Sequence, residues 1–173
     1  MLKINPDPLT LLRPVSKVIT VGKTRPGDTT TYAAGDVIAE STSAATVWTF
    51  PGFARSAGLG GILQGAELIG STAQTLKLDA ELHLFDVAPV TQNDNVAWAP
   101  SDTEIESSLG FVSFATASWK TAGANGLIAA EGIAKVMQCA AGQTSLFGIL
   151  IARNAYVPTS GEKWTVRLHC IQD

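Results

Sequence analysis

Two stretches of the chain alternate apolar and polar residues with a period of two. They are residues 77–86, with the sequence KLDAELHLFD, and residues 163–171, with the sequence KWTVRLHCI. In each stretch the apolar side chains, such as Leu82 and Leu168, fall on one face and the polar side chains fall on the other. Such alternation is typical of antiparallel sheets, whereas the strands of buried parallel sheets are continuously apolar. The pattern predicts antiparallel strands with one dry face and one wet face over a shared core.

Further short segments predict strands, and turn residues separate them at regular spacing. These segments are residues 15–21, 37–40, 46–50, 55–71, 109–115, 133–139 and 144–153. A total of about eight to ten strands without a repeating helical partner is typical of a sandwich or barrel. We therefore predict an all-β fold, an antiparallel β-sandwich of the jelly-roll type, with an immunoglobulin-like sandwich as the alternative.

Two of these segments carry signals that compete with a strand. Residues 55–71 are rich in glycine, and each interior glycine costs a helix about 1 kcal/mol relative to alanine, so a bulged strand is favoured. Residues 127–141 have apolar residues at helical spacing, but Gly132 interrupts them, and we predict a strand over 133–139. Ser101 and Glu104 have the spacing of a capping box, which predicts one or two helical turns after them.

The first 14 residues, MLKINPDPLTLLRP, form a segment of a different kind. Each of its prolines lacks an amide donor and pushes the preceding residue toward extended geometry. We predict an extended N-terminal arm over residues 1–14, followed by a single β-sandwich domain over residues 15–173. Leu9, Leu11 and Leu12 in this arm must cover an apolar surface, either of their own domain or of a neighbouring subunit.

Composition restricts the classes of partner. Charged residues make up 16% of the 173 residues, and the formal net charge is −3. Lys and Arg are scattered, which argues against duplex nucleic acid because that partner requires a concentrated basic face. The longest strongly apolar run, residues 146–152, is far shorter than the about 20 residues that span a bilayer, so we expect no membrane partner. Long surfaces without charge favour contacts between subunits.

The N-terminal residues and the cysteines bear on where the chain is made. Pro6, Asp7 and Pro8 interrupt any signal-peptide core, so synthesis and assembly in a cytoplasm are expected. The two cysteines, Cys139 and Cys170, do not make a disulfide framework. We predict that they are small buried hydrophobic residues, as free cysteines often are.

No group of residues indicates a reaction, and we predict that the protein is not an enzyme and has no catalytic residue, metal site or cofactor. The two histidines, His83 and His169, would form a metal site with Asp79 or Glu81 only if their strands were neighbours. We interpret them instead as residues on the polar faces of strands. The same faces predict cross-strand ion pairs, with Asp79 or Glu81 opposite Lys163 or Arg167. A glycosidase-like carboxylate pair from Asp94, Asp102, Glu104 and Glu106 is the weaker interpretation of one polar loop.

Aromatic residues in loops are the remaining candidates for function. Trp164 lies on an apolar face and is predicted to be in the core. Loop aromatics can pack onto the end of a sandwich, contact another protein or form a platform for a sugar. The residues predicted to contact a partner are Leu9, Leu11, Leu12, Phe53, Trp98 and Trp119.

Several segments, taken in order, resemble a family of tailed-bacteriophage virion structural proteins, some of which are similar to capsid decoration (cement) proteins. The most distinctive pieces are Tyr32 to Val37 (YAAGDV), Leu84-Phe85-Asp86 with Asp94-Asn95, and Leu146-Phe147-Gly148 followed by Ala155-Tyr156. The likeness covers about residues 15 to 173. None of these pieces is a catalytic signature, and the N-terminal arm is longer than the family suggests.

The resemblance implies a context for the chain. A cement protein binds the outside of a phage head and stabilises it by non-covalent contacts with the major capsid protein. The expected location is therefore the surface of the phage head, with assembly in the bacterial host cytoplasm. Such proteins commonly form symmetric homo-oligomers, and a trimer or dimer is expected. The alternative is a carbohydrate-binding jelly-roll module of a phage tail or head fibre.

Overall fold

The computed structural model describes residues 14–73 and 76–173, and nine strands within them form two antiparallel sheets. The strands are β1 (Val15–Thr24), β2 (Trp48–Phe50), β3 (Gly60–Gly70), β4 (Ala80–Phe85), β5 (Ser108–Phe114), β6 (Lys120–Ala122), β7 (Asn125–Gln138), β8 (Leu146–Ala152) and β9 (Lys163–Gln172). A short helix, α1 (Asp102–Glu106), precedes β5, and a 3-10 turn at Thr116–Ser118 follows it. The prediction of an all-β sandwich is confirmed.

The strand order identifies the sandwich as a jelly roll. One sheet has the order β1-β9-β3-β7-β6 and the other has the order β2-β8-β4-β5. Apart from the short β6, the pairs are nested along the chain: β1 with β9, β2 with β8, β3 with β7 and β4 with β5. A long antiparallel hairpin wound into two sheets gives this order. The immunoglobulin-like order, in which the first strand lies beside the second, does not occur here.

The main core lies between the two sheets. In β9 the side chains of Trp164, Val166, Leu168 and Cys170 point inward and are buried, while the alternating polar residues point outward. In β4 the inward residues Leu82 and Leu84 meet them in the same cluster. Both period-two stretches therefore place their apolar faces as predicted. Cys139 and Cys170 are free and buried, which confirms the prediction for the cysteines.

The face of β4 that points away from the main core is more buried than its sequence predicts. His83 and Phe85 are buried there, with exposures of 9% and 0%. A second apolar cluster covers this outer face, and its buried members are Val37, Ala39, Ala45, Phe85, Ile149 and Ile151, with Val47, Trp98 and Phe147 partly buried against them. The prediction of a wet face is wrong for β4 because chain from distant segments packs over it.

The segment predicted as a strand over 37–40 supplies part of this cover. It forms only isolated bridges, in which Val37 pairs with Ile151 and Asp36 pairs with Ala97. The amide of Ile38 also donates to the carbonyl of Leu150 at 2.8 Å. The segment thus lies beside β8 and carries side chains to both clusters.

Strands β3 and β7 contain the irregularities that their glycines predict. The register between them shifts after Leu63, opposite residues 132–134 of β7. Gly132 and Ala134 both have positive φ, at 69° and 47°. The strand predicted over 133–139 is confirmed but is longer, because β7 begins at Asn125. The capping box at Ser101 and Glu104 is also confirmed, since Ser101 caps α1 and Glu104 accepts from the Ser101 amide.

The exposed edge of the five-stranded sheet, β1, carries lysines that point inward. Lys23 donates to Glu40 at 2.5 Å and to the hydroxyl of Thr46 at 2.8 Å. Lys17 donates to the carbonyl of Gly52 at 2.7 Å. Inward-pointing charges on an edge strand discourage pairing with the edge of another sheet. The same lysines tie β1 to the loops of the second sheet.

Candidate functional site

Three aromatic rings meet on the outer face of the four-stranded sheet, and we call His83, Trp98 and Phe111 the aromatic patch. The ring centroids of His83 and Trp98 lie 4.5 Å apart at an interplanar angle of 51°. The rings of His83 and Phe111 are stacked with centroids 5.2 Å apart. Phe111 is 54% exposed, so the patch presents an aromatic surface to solvent.

Sheet register and one loop bring these rings together. His83 on β4 pairs directly with Phe111 on β5, and both residues alternate with inward core residues. Trp98 comes from the loop after β4, and its amide donates to the carbonyl of Gly35 at 2.9 Å. Its ring also meets the edge of Phe85 at 6.4 Å. Two strands and an anchored loop therefore hold the patch.

A charged pair fixes the central imidazole. Arg153 donates to Glu81 Oε2 through Nε at 2.7 Å and through Nη2 at 2.5 Å. The same oxygen lies 3.1 Å from Nε2 of His83. This contact joins the imidazole to an ion pair whose members come from β4 and from the residue after β8.

Burial and hydrogen bonding set the charge states of His83 and Glu81. Burial lowers the pKa of His83, and the opposing attraction of Glu81 is smaller. Burial alone would raise the pKa of Glu81, but the hydrogen bonds from Arg153 and His83 outweigh it and hold that pKa below its usual value. At neutral pH the patch therefore presents a neutral imidazole beside a carboxylate and a guanidinium.

This arrangement suits recognition of a protein surface. Aromatic and Arg side chains supply most of the binding energy where they cluster at protein contacts, especially when a rigid scaffold holds them. The sequence analysis identified Trp98 but missed Phe111, Glu81 and Arg153 as its companions. The available signal was Phe111 itself, since an aromatic residue out of phase with the apolar face of its strand must point outward.

The outer face of the five-stranded sheet is a second exposed surface. Glu67 on β3 pairs with Arg167 on β9 in register, and their side chains lie 3.3 Å apart. Glu67 also lies 3.5 Å from Nε2 of His169. A shallow depression of about 200 Å³ opens there beside the irregular pairing of β3 with β7. Glu67 thus meets both Arg167 and His169, and the described residues of this face form no ring cluster like the aromatic patch.

The histidine and carboxylate hypotheses fail on topology. His83 lies on β4 and His169 lies on β9, which belong to different sheets, and both point away from the shared core. They are on opposite sides of the sandwich, so the metal site and the ion pairs predicted between these two strands do not form. Among the described residues, no group of three His, Cys, Asp or Glu side chains is placed to hold a metal ion.

The polar-loop carboxylates do not converge on a common point either. Asp94 is buried and pairs with Arg25 at 2.9 Å. Glu104 is used in the cap of α1 and accepts from the amide of Val90 at 2.6 Å. The carboxylate pair considered from the sequence is therefore replaced by two structural roles.

The structure places the residues predicted to contact a partner in different environments. Phe53 has 0% exposure and belongs to the main core, so it offers no surface to a partner. Trp119 is half-buried: its Nε1 donates to the carbonyl of Leu78 at 2.6 Å, and its ring meets Trp164 at 6.0 Å. Trp98 belongs to the aromatic patch. The remaining three, Leu9, Leu11 and Leu12, lie outside the described residues.

A buried polar network holds one end of the sandwich together, and we call Arg25, Tyr32, Asp94, Tyr156 and Glu162 the loop-end network. Asp94 accepts from Arg25 at 2.9 Å, from the Tyr32 hydroxyl at 2.5 Å and from the amide of Ala39 at 2.8 Å. Tyr156 donates to Glu162 at 2.8 Å, and its ring stacks on Tyr32. Burial raises the pKa of Glu162 and of both tyrosines. These groups are enclosed and mutually satisfied, which is the pattern of a structural network.

No protein-family model matches this chain, and no curated protein matches it. Over residues 14–73 and 76–173, the structure contains no helix with the length and apolar character that crossing a membrane requires.

Proposed function

We propose that this chain is a structural protein of a tailed-bacteriophage virion, a head decoration (cement) protein that stabilises the capsid by non-covalent contacts with the major capsid protein. In this role it lies on the head surface, assembles in the host cytoplasm as a homo-oligomer such as a trimer or dimer, and acts neither as an enzyme nor as a carrier of a cofactor. The resemblance of its segments to that family is one support for the proposal.

The aromatic patch is the observation that carries the proposal. Phe111 leaves more than half of its surface in water, although it stacks on a ring held by the Glu81–Arg153 pair. Exposing an aromatic group to water is unfavourable unless a partner covers it. Covering it contributes most to the binding free energy where the ring is already fixed. A capsid subunit with an apolar recess is a partner of that kind.

The scaffold supports the same role. Two sheets share one core and the loop-end network closes one end, so the sandwich can transmit load between the proteins that it bridges. Low overall charge limits the desolvation cost when many identical copies pack on a particle. Trp98 remains a predicted contact residue through the aromatic patch, and Trp119 remains one through the exposed part of its ring.

Capsid binding with a charge-insertion variant tests the proposal. The purified chain is mixed with undecorated heads of the phage that encodes it, and binding is measured by co-sedimentation. Phe111→Glu should weaken binding at least about tenfold, because central aromatic contacts typically contribute more than 1–2 kcal/mol. Val157→Glu is the matched control, since Val157 is 49% exposed and follows Tyr156, which pairs with Tyr32 in the loop-end network. Circular dichroism confirms that both variants remain folded.

Two results would overturn the proposal. One is the absence of this chain from virions of that phage, judged by mass spectrometry of purified particles. The other is equal binding of the wild-type chain and Phe111→Glu, which would remove the aromatic patch as the contact. Loss of binding in Val157→Glu as well would show a general effect of charge and would also count against the patch.

A carbohydrate-binding module of a tail or head fibre is the second candidate, and one observation favours it. The Trp98 ring packs against His83, and His83 contacts Glu81, the partner of Arg153. These polar groups could bond to the hydroxyls of a sugar on the Trp98 ring. Trp119 is the weaker platform, because its ring packs inside the fold. Glycan-array binding that disappears in Trp98→Ala and persists in Trp119→Ala would favour this function over capsid decoration.

A further inference from the structure

Strand β5 is the edge of the four-stranded sheet, and no described strand pairs with its outer side. The other open edges carry protection against a further strand. β2 and β6 have three residues each, and β1 directs Lys17 and Lys23 inward. The part of β7 that β6 leaves unpaired carries Glu131, Lys135 and the irregularity at Gly132. Short edges, charges and irregularities are the usual means by which proteins prevent the addition of a strand.

β5 carries little of this protection. Its seven residues, Ser108–Phe114, include no charged side chain. The irregularity of the strand is confined to its start, where the register with β4 shifts, Gly110 has a φ of 100° and Lys135 lies against Gly110. Phe111 to Phe114 then pair regularly with β4. This part of β5 is an uncharged and regular edge, which is the kind of edge that accepts another strand.

The hydrogen bonds of the sheet identify which backbone groups of β4 face β5. The carbonyl of Leu150 on β8 accepts from the amide of Ile38 at 2.8 Å, so the backbone groups of Leu150 point away from β4. In an antiparallel sheet successive residues alternate between the two neighbours. Ile149 therefore faces β4, where it pairs with His83. Because His83 bonds to β8, the next residue along, Leu82, bonds to β5.

The same alternation continues into β5. Leu82 pairs with Val112, so the N–H and C=O of Val112 bond to β4. The N–H and C=O of Phe111 and Ser113 then point to the open side, and we call these four groups the free edge of β5. Exposure agrees with this assignment, because Val112 is 4% exposed whereas Phe111 is 54% exposed and Ser113 is exposed.

The ring of Phe111 leaves room for a side chain of an added strand. One face of the ring stacks on His83, which belongs to β4. A strand on the other side of β5 places a side chain about 4.5–5.5 Å from Phe111, measured between Cβ atoms. An apolar or aromatic side chain there covers the face of the ring that His83 leaves open. One partner can therefore cover both the free edge and the exposed ring of the aromatic patch.

We propose that the partner of the aromatic patch supplies an extended segment, which pairs with the free edge of β5 as a fifth strand and places an apolar or aromatic side chain on the Phe111 ring. Antiparallel pairing gives up to about four hydrogen bonds, because Phe111 and Ser113 each offer one donor and one acceptor. The inference rests on the proposed function, which makes this partner the major capsid protein. The added strand and the contact of the Phe111 ring share one position, so a second copy of this chain is excluded from it while the capsid segment is bound.

Hydrogen exchange of the wild-type chain tests the proposal without a substitution. The chain is measured free and bound to undecorated heads of the phage that encodes it, with fragmentation that resolves single amides. The amides of Phe111 and Ser113 should exchange at least about tenfold more slowly in the bound chain, because they gain hydrogen bonds. The amides of Val112 and Phe114 are the internal control, since they should be protected in both states. Alternating protection distinguishes strand pairing from a contact that only covers the surface.

A proline substitution gives a second measurement. Ser113→Pro removes one donor from the free edge, and an edge strand tolerates proline where its N–H points to solvent. Ser113→Ala is the matched control, because it removes the hydroxyl and keeps the amide. In co-sedimentation with heads, Ser113→Pro should bind at least about tenfold more weakly than Ser113→Ala, since it leaves a carbonyl of the partner without a donor. Circular dichroism checks that both variants are folded.

Four results would overturn the proposal. Head binding that depends on Phe111 but leaves the amides of Phe111 and Ser113 unprotected would keep the proposed function and refute the added strand. Equal binding of folded Ser113→Pro and Ser113→Ala would do the same. A free chain that sediments as a dimer, and as a monomer in Ser113→Pro, would assign the free edge to a second copy. Absence of head binding by the wild-type chain would refute the proposed function and this inference with it.

Discussion

Replacing Asp94 by asparagine should destabilise the domain more than any comparable change on its surface. The side chains of Asp94 and Arg25 are each 1% exposed, and they form an ion pair at 2.9 Å. Asparagine has the same shape, but it has one acceptor oxygen for the three donors that now reach Asp94: Arg25, Tyr32 and the amide of Ala39. The Arg25 charge then loses the buried carboxylate that pairs with it and keeps Asp28, whose side chain is 38% exposed, at 3.4 Å.

The magnitude follows from the cost of an unpaired buried charge. Breaking one partner of such a pair typically costs about 3–5 kcal/mol, while a whole domain is stable by about 5–15 kcal/mol. For a chain of this length, each kcal/mol of lost unfolding free energy lowers the melting temperature by about 2–4 °C, so the melting temperature should fall by about 6–20 °C. The expected variant is folded at room temperature but far less stable.

Urea denaturation followed by circular dichroism and tryptophan fluorescence measures the free energy of unfolding. Asp28→Asn is the matched control, because Asp28 is 3.4 Å from the same guanidinium but its side chain is 38% exposed. It should leave the free energy of unfolding close to that of the wild-type chain, because exposed ion pairs contribute little. The double variant Arg25→Met with Asp94→Asn should recover part of the loss, since it removes the buried cation and leaves an acceptor oxygen for Tyr32 and the Ala39 amide. A change of less than about 1 kcal/mol in Asp94→Asn would refute this account of the network.

Three further predictions concern the patch, β7 and α1. Burial lowers the pKa of His83, so on acidification the unfolded chain takes up a proton at this residue before the folded chain does. The stability of the fold should therefore fall as the pH drops from 7 through about 6.5, and thermal scans of His83→Gln should show a smaller fall. Gly132→Ala should lower the free energy of unfolding by about 1 kcal/mol because φ is 69° there, whereas Ala134→Gly should leave it unchanged or raise it by up to about 1 kcal/mol, as measured by urea denaturation. Ser101→Ala should cost about 1 kcal/mol in the same assay by removing the N-cap of α1.

Local pattern predicts strands well where their period is unbroken. β9 alternates without interruption over its length, and its inward residues are those that the sequence indicates. β7 shows the opposite case: Ile128 and Ala130 point inward before the irregularity, and Ile133 and Met137 point inward after it. The change of phase at Gly132 mixes the two periods, so a helix competes with a strand in the sequence and the start of β7 is predicted too late.

The contents of the site depend on contacts that no local pattern contains. His83 and Phe111 meet through sheet register, and Glu81 meets Arg153 although 72 residues separate them. Residues 37–47 cover the outer face of β4, although their own pattern predicts only short strands. Phe53 was named as a loop aromatic for a partner contact, yet its ring lies in the main core. Each difference is a tertiary contact that overrides local polarity.

The segments that carry the proposed resemblance to phage structural proteins meet through their buried residues. Tyr32 and Asp94 are joined in the loop-end network, and the amide of Tyr32 donates to the carbonyl of Tyr156 at 2.9 Å. Phe85 and Phe147 pack together in the second cluster. Buried residues of this kind specify the jelly roll whatever the protein binds, so the resemblance bears first on architecture.

The choice of partner must instead depend on exposed side chains, because the fold does not constrain their identity. Phe111 is such a residue: it lies outside the most distinctive resembling pieces, and more than half of its surface faces water. The capsid-binding test with Phe111→Glu therefore separates two questions that the resemblance combines. One is whether the chain shares its architecture with phage structural proteins, and the other is whether its exposed surface binds a capsid. If this variant stays folded and loses the capsid, the surface and the architecture point to the same function. If it binds capsids as tightly as the wild-type chain, the capsid contact lies on another surface, and the partner of the aromatic patch must be sought among sugars and other proteins.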